Sequence, residues 1–177
     1  MDRKYLMSNI NDTYFDGDYK EIWRTLIPDE LTVKEVDFML PYFNLNESSK
    51  VLDLMCGYGR HALALGRKGI AVTAVDNLAG YINEIKSVVE KERLPVQAIQ
   101  SGVLDFTTAE RFDLALCMGN SINFFDANDM GRLLEKMHSL LNTGGHLLIN
   151  SWSIAEIAIK NFKEKSWSQI GDWKFLT

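Results

Sequence analysis

Four residues of this 177-residue chain have the types and spacing to hold a small ligand: Asp53, Gly57, Gly59 and Asp76. The stretch "VLDLMCGYGRHALALGRKG", residues 51–69, reads as a short buried strand, a turn through two glycines, and a helix packed by Ala62, Leu63 and Leu65. A glycine-rich turn between a strand and a helix start lets backbone N–H groups close on a ligand, because no Cβ holds it off. Asp53 stands near the end of the strand, ahead of Gly57, and a carboxylate there suits a cationic amino group and repels a pyrophosphate. Asp76 ends a second apolar run, "AVTAVD" over 71–76, and an acid at the end of a buried strand needs a partner. Gly57, Gly59 and Ala62 also match the G-x-G-x-x-A spacing of dinucleotide sites, with Asp76 suitably placed for a ribose, so an NAD(P)-binding oxidoreductase-type domain is the competing reading. A tight strand-to-helix turn without a ligand is the purely structural alternative.

The elements that must position these residues alternate along the chain. Thr32 with Glu35 forms a capping box, which predicts a helix over Val33 to Phe43 with Val36, Met39 and Leu40 on one side. Strands are expected at 50–54 and 71–76, then a helix over 78–92, a strand "VQAIQSG" from Val96, and a fourth strand within "FDLALCMGN", 112–120. Asp126 caps a helix with a stripe of Met130, Leu133, Leu134, Met137, Leu140 and Leu141, which Gly144 and Gly145 are expected to end. "HLLINSW" is a fifth strand, and Ser153 with Glu156 predicts a last helix near 154–164. Short, nearly continuous apolar strands alternating with helices imply an α/β fold: a doubly wound, mostly parallel sheet covered by helices on both faces. Such sheets bind ligands at the carboxyl ends of their strands, where Asp53, Asp76, Gly102 and Met118 to Asn120 fall.

The composition narrows the partners. A hydrophobic fraction of 46% in 177 residues suits one domain with its own core. A formal charge of −5 and a pI near 5.2, with basic residues scattered, leave no electrostatic footprint for nucleic acid. No apolar run approaches a membrane span and the start "MDRKYLMSNINDTYF" lacks a signal-peptide core, so the expected location is the cytoplasm. Cys56 and Cys117 have neither disulfide-framework nor metal-ligand spacing and read as small buried hydrophobes, and no metal is expected.

With these residues in view, the region from about 33 to 152 resembles the class I S-adenosylmethionine-dependent methyltransferases, particularly the small stand-alone bacterial kind. The family's first motif is typically "VLDLGCGTGR", and this chain has "VLDLMCGYGR". The resemblance implies the strand order 3-2-1-4-5, S-adenosylmethionine as cofactor with S-adenosylhomocysteine as product, and direct in-line methyl transfer to a small-molecule acceptor. It implies that Asp53 receives the methionine amino group, that Gly57 and Gly59 admit the backbone to the cofactor, and that Asp76 holds the ribose hydroxyls. Cys56 and Asn77 would also contact the cofactor. Gly102 and Val103 would border the adenine, and Cys117, Met118 and Gly119 would line the methionyl and sulfonium part. Two departures stand out: Met55 occupies the position of the family's first glycine, and Gly102 replaces an acid that many members carry for the adenine amino group. They keep a third reading open, a cofactor-binding module without turnover.

No catalytic base is assigned. His61 at the helix start reads as an orienting or packing residue, and His138 and His146 as structural or surface residues. Arg60 either meets the cofactor carboxylate or lies in solvent. Asn120, Ser121, Asn123, Phe124 and Phe125 follow the fourth strand, as a loop of donors and aromatics suited to a small polar acceptor or to capping and packing. The chain is read as one domain: residues 1–31 an arm that packs on the core or covers the ligand, 33–164 the cofactor-binding core, and 165–177 a short tail. The resembling family continues past its fifth strand with a β-hairpin, and the tail "SWSQIGDWKFLT" is expected to be too short for one, so the chain reads as truncated. The fifth strand would then be an apolar edge, covered by the tail or paired with a second copy in a homodimer.

Overall fold

The computed structural model describes residue 15, residues 19–151, and the backbone of 167–170 and 173–176. Its helices and strands run in the order α1 (Tyr19–Leu26), α2 (Asp29–Tyr42), β1 (Lys50–Leu54), α3 (Arg60–Arg67), β2 (Ala71–Asp76), α4 (Ala79–Glu92), β3 (Val96–Gln100), β4 (Phe112–Cys117), α5 (Ala127–Leu140) and β5 (Leu141–Ile149). A short 3-10 turn, Ser121–Phe124, follows β4. The five strands form one parallel sheet in the order β3-β2-β1-β4-β5. This is the α/β doubly wound architecture and the strand order that the alternation of apolar runs and the resemblance imply.

Side-chain alternation along the central strands divides the core between the two faces of the sheet. Val51, Val72, Ala74, Leu114 and Leu116 pack with Val36 and Met39 of α2, Leu65 of α3, and Ile82 and Ile85 of α4. Leu52, Leu54, Val75, Ala115 and Cys117 pack on the other face with Leu133, Met137 and Leu140 of α5. Burial on both faces explains why these strands read as apolar runs rather than as alternating ones.

Several local expectations differ from the structure. α2 begins at Asp29, not Val33, and no side chain caps it. Pro28 fixes an extended backbone just before the first turn, and Asp29 and Glu30 suit the positive end of the helix dipole. Thr32 is therefore an interior, buried residue, and Glu35 is free for another partner. α5 does carry the expected cap, with Asp126 accepting from the Asp129 N–H at 2.8 Å, but it ends at Leu140 rather than at Gly144 and Gly145. Leu141 turns extended and pairs with Phe112, after which the register jumps to Leu114 opposite His146. The two glycines thus serve a bulge in β5, where a Cβ on Gly145 would stand 2.9 Å from the Asn142 carbonyl and 3.0 Å from that of Phe112.

The C-terminal stretch also differs. Instead of a tail too short for a hairpin, Trp167–Ile170 (β6) and Trp173–Leu176 (β7) form an antiparallel pair with Ile170 opposite Trp173. Gly171-Asp172 between them is a dipeptide that two-residue hairpin loops favour, a signal present in the sequence. These strands form their own sheet, and among the described strands β5 pairs with β4 alone. The helix expected near 154–164 lies outside the described residues.

Candidate functional site

The carboxyl ends of β1, β2 and β4 open into a cavity of about 300 Å³. Of the sequence-predicted residues, Asp53, Cys56, Gly57, Asp76, Asn77, Gly102, Val103, Met118 and Gly119 line it. Gly59 and Cys117 do not. Cys117 is fully buried against α5, at the end of a strand whose next residue, Met118, is the one that reaches the cavity. A Cβ on Gly59 would stand 2.6 Å from Ile85 Cγ1, so this glycine lets α4 approach the turn. Gly57, with φ of +55°, would point its Cβ into open space, which leaves its backbone exposed to a ligand.

The two acids are unlike. Asp76 accepts from the Gly57 N–H at 2.8 Å through Oδ2 and from the Leu78 N–H at 3.0 Å through Oδ1, and so ties the turn to the end of β2. Burial raises its pKa, against the pull of those N–H groups. Each carboxylate oxygen keeps a second acceptor site for a hydroxyl. Asp53 is 2% exposed, and its Oδ2 has no hydrogen-bond partner among the described residues. Burial pushes its pKa up to about 6, opposed by the charges of His61 and Arg60 and by the Ala62 N–H. An unpartnered buried carboxylate oxygen at the wall of a cavity is costly unless a ligand cation completes it.

Arg60 and His61 open α3, the end where the helix dipole disfavours cations, and no acid lies in its first turn. Their counter-charge comes from α2. Glu35 Oε2 accepts from Arg60 Nη1 and, at 2.9 Å, from His61 Nε2, while Arg60 also donates to Thr32 Oγ1 at 3.1 Å. The His61 bond, then Arg60, holds the Glu35 pKa down to about 2 despite its partial burial, so Glu35 is ionised and can only accept. Arg60 therefore lies neither in solvent nor unpaired, and His61 is a buried, oriented ring. His138 and His146 are exposed, far along the chain from this cluster.

The capping-box reading concealed Glu35 by assigning it to its own helix. The signal that reveals it is an arginine followed by a histidine at an acid-free helix start. Sequence reasoning also missed Asp105, whose Oδ2 lies 3.0 Å from where a Cβ on Gly102 would stand, so the space of the absent side chain holds a different carboxylate. Lys136 of α5 fixes that loop by donating to the Leu104 and Phe106 carbonyls at 2.5 and 2.7 Å.

Phe15 and Trp23 of the N-terminal segment line the cavity beside Tyr58, Tyr81 and Phe125. The Tyr81 hydroxyl donates to the Phe15 carbonyl at 2.6 Å, and the Phe15 ring meets Phe124 edge-on at 4.8 Å. Arg24 lies over the Tyr58 ring at 4.7 Å and pairs with Glu84 of α4. In the loop after β4, Ser121 lines the cavity, whereas Asn123 accepts from Ser151. Burial raises the thiol pKa of both cysteines, to about 12 for Cys117 and well above the usual range for Cys56, so neither is a thiolate nucleophile.

A family model described as a methyltransferase domain matches residues 51–145, just over half of the chain. A glycine/sarcosine N-methyltransferase of Aphanothece halophytica is 26% identical over 157 residues, which cover 86% of this chain and 58% of that protein. A carboxy-S-adenosyl-L-methionine synthase of Vibrio atlanticus is 26% identical over 161 residues, 85% of this chain and 65% of that one. The crystal structure of an S-adenosylmethionine-dependent methyltransferase from Clostridium acetobutylicum superposes with a TM-score of 0.67 at 19% identity, over 86% of this chain and 62% of that one. The chain thus spans about three fifths of the length of these relatives.

Proposed function

The chain belongs to the S-adenosylmethionine-dependent methyltransferase family, and from that premise we propose that it transfers the cofactor's methyl group to a small-molecule acceptor. The observation that carries this reading is the unpartnered Oδ2 of buried Asp53 at the wall of the cavity, beside the open space in front of Gly57. It fits a ligand bearing an ammonium group and disfavours a pyrophosphate, which argues against a dinucleotide.

S-adenosylmethionine supplies an electrophilic methyl on a sulfonium, so the protein's part is to orient the acceptor in line and exclude water, without a covalent enzyme intermediate. Asp53 would receive the amino group, and the remaining acceptor sites of Asp76 would take the ribose hydroxyls. Gly102 and Val103 would border the adenine, and Met118 and Gly119 the sulfonium end; Cys56, Asn77 and the turn at Gly57 complete the wall. Gly59 and Cys117 support this wall from behind rather than meeting the cofactor. Phe15, Trp23, Tyr58 and Phe125 would exclude water from the acceptor side. The relatives named for glycine and sarcosine N-methylation support a small amine as the acceptor. On this reading the protein works in the cytoplasm, and the β5 edge offers a surface along which two copies pair; no helix among the described residues is long and apolar enough to cross a membrane.

Calorimetric titration with S-adenosylmethionine, S-adenosylhomocysteine and NAD tests the reading. Binding of the first two without NAD is the expected result. Binding of NAD alone overturns it, and tight cofactor binding with no transfer across a panel of small amines would leave a binding module.

A further inference from the structure

Asp53 presents a puzzle of charge. Its Oδ2 is buried and unpartnered among the described residues, although Arg60 and His61 are close enough for their charges to lower its pKa. A buried carboxylate ordinarily captures a neighbouring guanidinium, because the paired, hydrogen-bonded state relieves the cost of burying both charges. Here both neighbours already meet a second acid. Glu35 of α2 engages both, and Thr32, one helical turn before it, accepts from the same Arg60 nitrogen.

We propose that Glu35 is a positioning residue of the cofactor site: by holding Arg60 and His61 against α2 it keeps both donors off Asp53 and leaves Oδ2 for a ligand's ammonium group. The inference rests on the cofactor reading above for the nature of that ligand, but not for the clamp itself. The geometry supports the division of labour. His61 is buried and meets Glu35 through Nε2. Arg60, whose side chain is 15% exposed and lines the cavity, is near enough for its charge to act on Asp53. The other ionisable groups that feel Asp53 are Asp76 of β2, which is already held by two backbone N–H groups, and the thiols of Cys56 and Cys117, which stay neutral. Neither an acid nor a neutral thiol can take the place of a cation beside Asp53.

Two measurements test the clamp. The first is the Asp53 carboxyl titration followed by carbon-detected NMR in the ligand-free protein, and the second is calorimetric binding of S-adenosylhomocysteine at pH 8. In Glu35→Gln, Arg60 swings onto Asp53, and the Asp53 midpoint falls by about one pH unit or more. Affinity for S-adenosylhomocysteine falls about tenfold, since the ligand's ammonium must now displace a guanidinium. In Glu35→Gln/Arg60→Met the midpoint returns to or above the wild-type value, a reversal that a merely structural role for Glu35 would not produce. An unchanged midpoint in Glu35→Gln, or a lowered one that the double variant does not reverse, overturns the clamp. Where Glu35→Gln does not fold, Glu35→Asp, whose carboxylate is one methylene shorter, is expected to move the midpoint in the same direction, and no movement there overturns it equally. Wild-type protein that fails to bind S-adenosylhomocysteine while the midpoint shifts as described refutes the cofactor reading and leaves the clamp standing.

Discussion

The two strand ends that build this site differ in what the chain itself has already filled. At the end of β2, Asp76 spends an acceptor site on each oxygen on backbone N–H groups, and at the start of α3 Gly59 is packed tightly against Ile85. At the end of β1, Asp53 keeps one oxygen without a partner among the described residues and Gly57 faces open space. Both pairs consist of an acid and a glycine, and both meet at the turn between β1 and α3. The difference teaches that the residue types of a ligand-binding turn do not share one role: one pair shapes the turn, and the other is left incomplete for what the turn holds.

The sharpest way to break this comparison is to add one methyl to each glycine. In Gly59→Ala the new Cβ meets Ile85 at 2.6 Å in a left-handed backbone with φ of +79°. The left-handed strain costs about 1–2 kcal/mol and overpacking about 1–3 more. At about 2–4 °C per kcal/mol for a chain of this size, the melting temperature should fall by roughly 4–20 °C. Gly57→Ala carries only the strain, and its methyl enters the cavity, so it should lower the melting temperature by no more than about 8 °C while weakening S-adenosylhomocysteine binding. Equal thermal losses in the two variants would erase the distinction.

The acids should separate with opposite signs. Asp76→Ala leaves the Gly57 and Leu78 N–H groups without their acceptor, at about 1–3 kcal/mol for each that stays unsatisfied, and lowers both stability and affinity. Asp53 behaves otherwise because burial raises its pKa from 3.8 to about 6. Below pH 4 or so both folded and unfolded chains carry the proton and nothing is lost. As pH rises from about 4 to 6 the unfolded chain ionises first, and above that the folded protein is destabilised by about 1–3 kcal/mol. Asp53→Asn should therefore raise the melting temperature at pH 8, leave it unchanged near pH 4, and weaken S-adenosylhomocysteine binding about tenfold or more. A variant less stable than wild type at pH 8 would show that Asp53 holds the fold rather than a ligand.

These contrasts mark how far the sequence could be read. The strands were legible because burial on both faces leaves nearly pure apolar runs, and Asp53 and Asp76 stand at the ends of two of them. The roles of the glycines were not, since Gly59 is defined by Ile85 and Gly57 by empty space, and neither neighbour lies in the motif. Glu35 was hidden for a related reason: three-residue spacing from Thr32 satisfies a local rule, while its actual partners lie on another helix. The stop of α5 was misplaced because pairing of Leu141 with Phe112 ends the helix before the glycines do. Local spacing identifies an element, but a contact between elements decides what its residues do.

The smallest effect concerns Met55, which lies between the incomplete acid and the open glycine and has a left-handed backbone with φ of +55°. At an ordinary position alanine is more stabilising than glycine by about 0.5–1 kcal/mol, because glycine loses more freedom on folding. At Met55 the order should invert, since any Cβ in the left-handed region costs about 1–2 kcal/mol that glycine escapes. Met55→Ala and Met55→Gly both remove the thioether from its packing on the α5 side of the core, so that loss largely cancels between them. The comparison then isolates the backbone. Met55→Gly should melt about 1–5 °C above Met55→Ala, as measured by calorimetry on the two proteins under one buffer. It should also keep S-adenosylhomocysteine affinity, because a turn relieved of strain at Met55 still presents Asp53 and Gly57 as before. Alanine melting above glycine would mean that residue 55 does not hold the left-handed conformation in solution, and that the turn presents its open side in another shape.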